Sequence, residues 1–121
     1  MSIMGTTPPA GLAPPVACLV RDLMFVGKIT ATAAAIGVAV RILRDPAALA
    51  DVDAPRLVVD LNQAGALAAA VAWRTRTGRP VLGFVAHVDT DVIAEARAAG
   101  IDRVLARSAF TARLAELLGE A

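Results

Sequence analysis

The run Arg56–Gly65, RLVVDLNQAG, constrains this chain more than any other stretch. Three apolar residues, Leu57, Val58 and Val59, lead straight to a carboxylate at Asp60, where a loop opens before an Ala-rich helical stretch. A short strand with no polar face suits the interior of a parallel sheet covered by helices on both sides. In such sheets chemistry collects beyond the carboxyl ends of the strands, and Asp60 is predicted to sit there.

The remaining sequence supplies the neighbours such a strand needs. Strands are predicted at Val16–Arg21, Val38–Leu43, Arg56–Asp60, Val81–Val85 and Arg103–Ala106. Between them, helical spacing marks Met24–Ala35, with Val26, Ile29, Ala33 and Ile36 on one face and Gly37 closing it. Asp45-Pro46 starts a second helix, which Asp53-Ala54-Pro55 keeps short. Ala64–Thr77 is the third, with Trp73 against the sheet, and Thr90–Ala99 the fourth. A fifth runs from a Ser108 cap to about Leu118. Strands and helices alternating over short loops predict a single α/β domain: a five-stranded, doubly wound parallel sheet in the flavodoxin-like order 2-1-3-4-5. It occupies residues 16–121, whereas Met1–Pro15, with four of the seven prolines, reads as a flexible tail.

Composition narrows the function. A chain of 121 residues that is 57% hydrophobic supports one ordinary core. A net charge of +1 with 3% aromatics and no Tyr gives neither an electrostatic footprint nor stacking platforms for nucleic acid. No run approaches the roughly 18 apolar residues of a membrane helix, so neither nucleic acid nor membrane is an expected partner. The single Cys18 suits a reducing, cytoplasmic home and reads as a packing thiol. Gly27-Lys28 lacks the rest of a phosphate-binding loop, and Ser108, His87 and Asp60 lack the G-x-S-x-G elbow of a hydrolase. No enzymatic activity is expected.

Three segments carry a family resemblance: VVDLN at the third strand end, GRPVLGFVAHVD across the fourth strand, and EARAAGIDRVLARS into the fifth. In order and spacing the chain resembles the CheY-like receiver domain of bacterial response regulators from about Val16 onward. The resemblance implies a phosphoacceptor position at Asp60 and a pocket of Arg21, Asp22, Asp60, Asn62, Val85 and Arg107. It implies Asp22 and Asp60 as the carboxylates of a Mg²⁺ site that Asn62 completes through its backbone carbonyl.

The chain departs from that pattern where the chemistry is most demanding. Arg21 stands where the family has a first acid, Val85 where it has a hydroxyl, and Arg107 where it has lysine. Val104 stands where the family's switching aromatic falls, and Ser108 where proline follows the lysine. Phosphoryl transfer to a carboxylate relies on a metal and placed charges, and Mg²⁺ prefers hard oxygen ligands. Replacing one ligand by Arg21 puts a fixed cation in that space. The expectation is therefore a divergent pseudo-receiver in which Arg21 and Arg107 lie alongside Asp60, signalling by protein contacts with no cofactor. Two alternatives stand beside it: a working phosphoacceptor at Asp60, for which Mg²⁺ would be required, and a binder of a small anionic ligand on Arg21 and Arg107. The fourth helix, fifth strand and fifth helix form the expected partner face, and Arg97, Asp102, Arg103 and Arg113 lie in a mixed-charge set suited to a homodimer.

Overall fold

The computed structural model describes residues 14–86 and 89–120. Its elements are β1 (Val16–Leu19), α1 (Leu23–Ile36), β2 (Val40–Leu43), a 3₁₀ helix (Pro46–Asp51), β3 (Leu57–Asp60), α2 (Ala66–Thr77), β4 (Val81–Val85), α3 (Thr90–Ala98), β5 (Arg103–Ala106), α4 (Arg107–Ala112) and α5 (Leu114–Leu118). The strands form one sheet in the order β2-β1-β3-β4-β5, and all four pairings are parallel. This is the predicted topology. Its physical basis is visible strand by strand, because alternate residues feed two separate cores. Ala17, Leu19, Leu57, Val59, Val81 and Val85 face the 3₁₀ helix, α2 and α3. Val16, Cys18, Val58, Leu82 and Phe84 face α1, α4 and α5.

Local chemistry sets most of the boundaries. Gly37 takes a left-handed φ of 74°, and its N–H bonds back to the last turn of α1. Asp45 accepts from Ala47 N–H, and Pro46 opens the next turn, as read from the sequence. That element is a 3₁₀ helix of six residues. Trp73 lies in the core beneath it and donates its indole N–H to the Val52 carbonyl at 3.0 Å. Arg76 adds bonds to the Leu49 and Val52 carbonyls, so α2 supplies the partners that the end of the 3₁₀ helix lacks.

Two expectations about the last helix need correction. Ala106 is the extended residue before α4 and Arg107 is already helical, so Ser108 lies inside the first turn and caps nothing. The helix also breaks at Arg113, whose φ of −111° separates α4 from α5. Two residues earlier, the Thr111 hydroxyl bonds back to the Arg107 carbonyl, a pattern that bends helices.

Gly83, in the middle of β4, is set by close packing. A Cβ there would come within 2.5 Å of Leu61 Cδ1 and 3.0 Å of its Cγ, and Leu61 is itself buried. Gly83→Ala is expected to destabilise the fold by about 1–3 kcal/mol, the usual cost of overpacking. Urea unfolding checks it, with a lower midpoint and an unchanged slope as the expected result.

Candidate functional site

The crevice at the carboxyl end of the sheet gathers the tips of β1, β3, β4 and β5. Asp60 closes β3, pairs in register with Phe84 and is partly buried. Its Oδ1 accepts the Asn62 backbone N–H at 3.0 Å, and its carbonyl accepts from Gln63. Asn62 then ties two loops together. Its Oδ1 accepts the Ala86 N–H at 2.6 Å, and its Nδ2 donates to Asp89 Oδ2 at 3.2 Å. Asp89 in turn caps α3 by accepting from Val92 N–H. The backbone donor at the tip of β4 is thus satisfied by a side chain from the tip of β3.

At the β1 edge the arrangement differs from the one expected. Asp22 is the N-cap of α1, with Oδ1 accepting from Met24 N–H at 2.9 Å and from Phe25 N–H at 3.4 Å. Its Oδ2 accepts from Arg107 at 3.4 Å. The Arg107 guanidinium also lies 4.8 Å from the centre of the Phe25 ring, within cation–π range. Arg107 therefore goes to Asp22 and the ring. Among the described residues, Asp60 forms no ion pair with Arg21 or Arg107, and Arg21 is exposed. The expected placement of Arg21 and Arg107 as ion-pair partners of Asp60 is not what the structure shows. The physical reason is that capping fixes Asp22 at the start of α1, beside an aromatic face that holds the guanidinium.

That aromatic face is the part of the site the sequence reading missed. All three phenylalanines converge under the β1–β5 tips: Phe25 to Phe84 at 4.9 Å, Phe84 to Phe110 at 4.6 Å, and Phe25 to Phe110 at 5.7 Å. Phe25 lies three residues after Asp22, and this spacing was the available signal.

The other predicted site residues fall into place individually. Val85 ends β4 fully buried, and Val104 is buried in the core on the α2–α3 side of the sheet. His87 lies outside the described residues. For Mg²⁺ these donors fit poorly. Asp22 has both oxygens engaged with a cationic partner beside it, and among the described residues no three metal-capable side chains cluster.

Charges predicted for the partner face have intramolecular partners. Arg103 pairs with Glu120 at 2.8 Å, Arg113 with Glu116 at 2.5 Å, and Arg97 reaches the Val104 carbonyl at 3.5 Å. Asp102 accepts two 2.8 Å bonds from Arg74 of α2 and a third from Val81 N–H, fastening the start of β4. The Arg74 hydrogen bonds hold its carboxyl below the usual aspartate range. The unfolded chain therefore binds this proton more readily. The stabilisation is present above the ordinary aspartate pKa of about 3.9 and is lost as pH falls through the lower folded value. In Arg74→Ala, acid unfolding followed by circular dichroism is expected to begin at higher pH than in the parent.

Known structures agree with this fold. No protein-family model matches the chain, and no curated protein does. Among solved structures, a receiver domain of a Francisella response regulator superposes with a TM-score of 0.73 at 18% identity, covering 87% of this chain and 93% of that one. A phosphorylated cyanobacterial phytochrome response regulator gives 0.71 at 13% identity, covering 88% and 89%. An orphan response regulator of H. pylori gives 0.69 at 15% identity, covering 92% and 99%. The chain has the CheY-like receiver fold.

Proposed function

We propose that this chain is a receiver-like signalling domain that acts through protein contacts and does not require phosphorylation of Asp60. The observation that carries the reading is the double commitment of Asp22, as cap of α1 and as ion-pair partner of Arg107. A carboxylate so engaged must break both sets of bonds before it can serve a metal. The Asn62 bridge supports the same reading, since it already occupies the Ala86 N–H beside Asp60. Val85 brings no hydroxyl to the β4 tip. The reading includes no turnover by the chain itself and a cytoplasmic home, supported by a lone buried thiol.

The test is incubation with Mg²⁺ and acetyl phosphate, or with beryllofluoride, followed by intact mass or spectral shifts. No adduct is expected. A stoichiometric adduct that disappears in Asp60→Asn overturns the proposal and establishes the second reading, a working phosphoacceptor. That alternative draws on one observation, the partly exposed Asp60 carboxylate without an ion pair among the described residues. The anion-binding reading is disfavoured because Arg107 is held by Asp22 and Phe25. A homodimer through α3, β5 and α4–α5 is also disfavoured, since Arg103, Arg113 and Asp102 would have to leave partners in their own chain.

A further inference from the structure

Where the receiver pattern has a hydroxyl and a switching aromatic, this chain has Val85 and Val104, both buried and neither able to hydrogen-bond through its side chain. Another connection runs out from Asp60. Asp60 Oδ1 accepts the Asn62 N–H at 3.0 Å, and the Asn62 side chain reaches the start of α3. The two ends of that side chain are not interchangeable. Oδ1 meets a donor, Ala86 N–H at 2.6 Å, and Nδ2 meets an acceptor, Asp89 Oδ2 at 3.2 Å. Only a primary amide of this length, in this one orientation, serves both neighbours. Asp89 carries the constraint into the helix. Its Oδ1 accepts from Val92 N–H at 3.2 Å, and its carbonyl accepts from Ile93 N–H at 3.2 Å.

The other side of the same loop is fixed. Gln63 Nε2 donates to the Arg44 carbonyl at 2.7 Å, and a Cβ on Gly65 would already lie 3.8 Å from Pro46 Cγ. The backbone is tied as well, Leu61 N–H to the Phe84 carbonyl and Ala66 N–H to the Gln63 carbonyl. A disturbance at Asp60 therefore has one soft outlet, the exposed Asn62 and, through it, α3.

We propose that Asn62 couples the Asp60 carboxylate to the first turn of α3. While Asp60 Oδ1 holds the Asn62 N–H, the amide is seated, Asp89 is oriented and the start of α3 is capped. A group that draws Oδ1 away releases Asn62, and the cap loosens. The coupling rests on the reading above only in giving α3 a partner to signal to. A phosphoryl adduct on Asp60 would refute that reading and leave the coupling intact.

Amide hydrogen exchange at Val92 and Ile93, followed by NMR in single and double variants, tests it. Asp60→Ala removes the acceptor and is expected to speed exchange at both amides about fivefold, the loss of one modest hydrogen bond. Val26 N–H, bonded to the Asp22 carbonyl at the start of α1, is expected to keep its rate. In Asn62→Ala the α3 amides are already fast, and adding Asp60→Ala is expected to change them no further. Equal acceleration in both backgrounds overturns the proposal, as does no acceleration in the parent. Asn62→Asp separates the two links, because it keeps an acceptor for Ala86 N–H and sets a carboxylate against Asp89. It is expected to match Asn62→Ala at Val92, and a surviving response to Asp60→Ala in that background overturns the proposal. Faster exchange throughout the chain, Val26 included, marks general destabilisation and overturns it as well.

Discussion

Phe84→Ala is expected to lower the stability of this chain by about 3–5 kcal/mol, the usual cost of deleting a large buried aromatic. Phe84 is fully buried on β4, with Phe110 stacked at 4.6 Å and Phe25 tilted against it at 4.9 Å. Its loss removes apolar burial together with two ring contacts. The effect should extend beyond the core, because Phe25 is also the surface on which Arg107 rests beside Asp22. Chemical denaturation measures the first consequence. Nitrogen-15 side-chain spectra of Arg107 measure the second, with a shifted and broadened guanidinium signal expected. A stability change below about 1 kcal/mol would show that the three rings are not the cohesive unit described.

Trp73→Ala is expected to have a comparable effect on the other side of the sheet, again about 3–5 kcal/mol. Here the side chain has two tasks that substitution can separate. Its bulk fills the space between α2, the 3₁₀ helix and the sheet, while its N–H satisfies the Val52 carbonyl. Trp73→Phe keeps much of the bulk and loses the donor, and should cost roughly 1–3 kcal/mol. Arg76 still reaches the same carbonyl at 3.0 Å, which favours the lower end. Unfolding curves for the two variants check the ordering, which fails if the phenylalanine variant is as unstable as the alanine one.

The fold was legible in the sequence because its signals are local. Apolar runs such as Leu57-Val58-Val59, the Asp45-Pro46 start and Gly37 at a helix end each dictate structure within a few residues. The site was legible only as a set of positions. Strand ends show that Asp22, Asp60, Asn62 and Arg107 share one edge, but not which cation meets which anion. That choice turned on α1 beginning at Leu23, which makes Asp22 its cap, and on Phe25 lying beside it. The cap signal lies in Asp22 followed by an apolar helix. The aromatic cluster joins residues from α1, β4 and α4, so no local pattern announces it. The helix break at Arg113 likewise arises inside a stretch whose periodicity continues across it.

The sheet's outer margins carry one more implication. Both flanking strands, β2 and β5, are only four residues long, and each includes an arginine, the exposed Arg41 and the half-buried Arg103. A foreign strand docking along either rim would have to bury or displace a guanidinium for little backbone pairing in return. Such rims disfavour open-ended stacking of one molecule onto the next, the edge-to-edge route by which flat, uncharged margins seed fibrils.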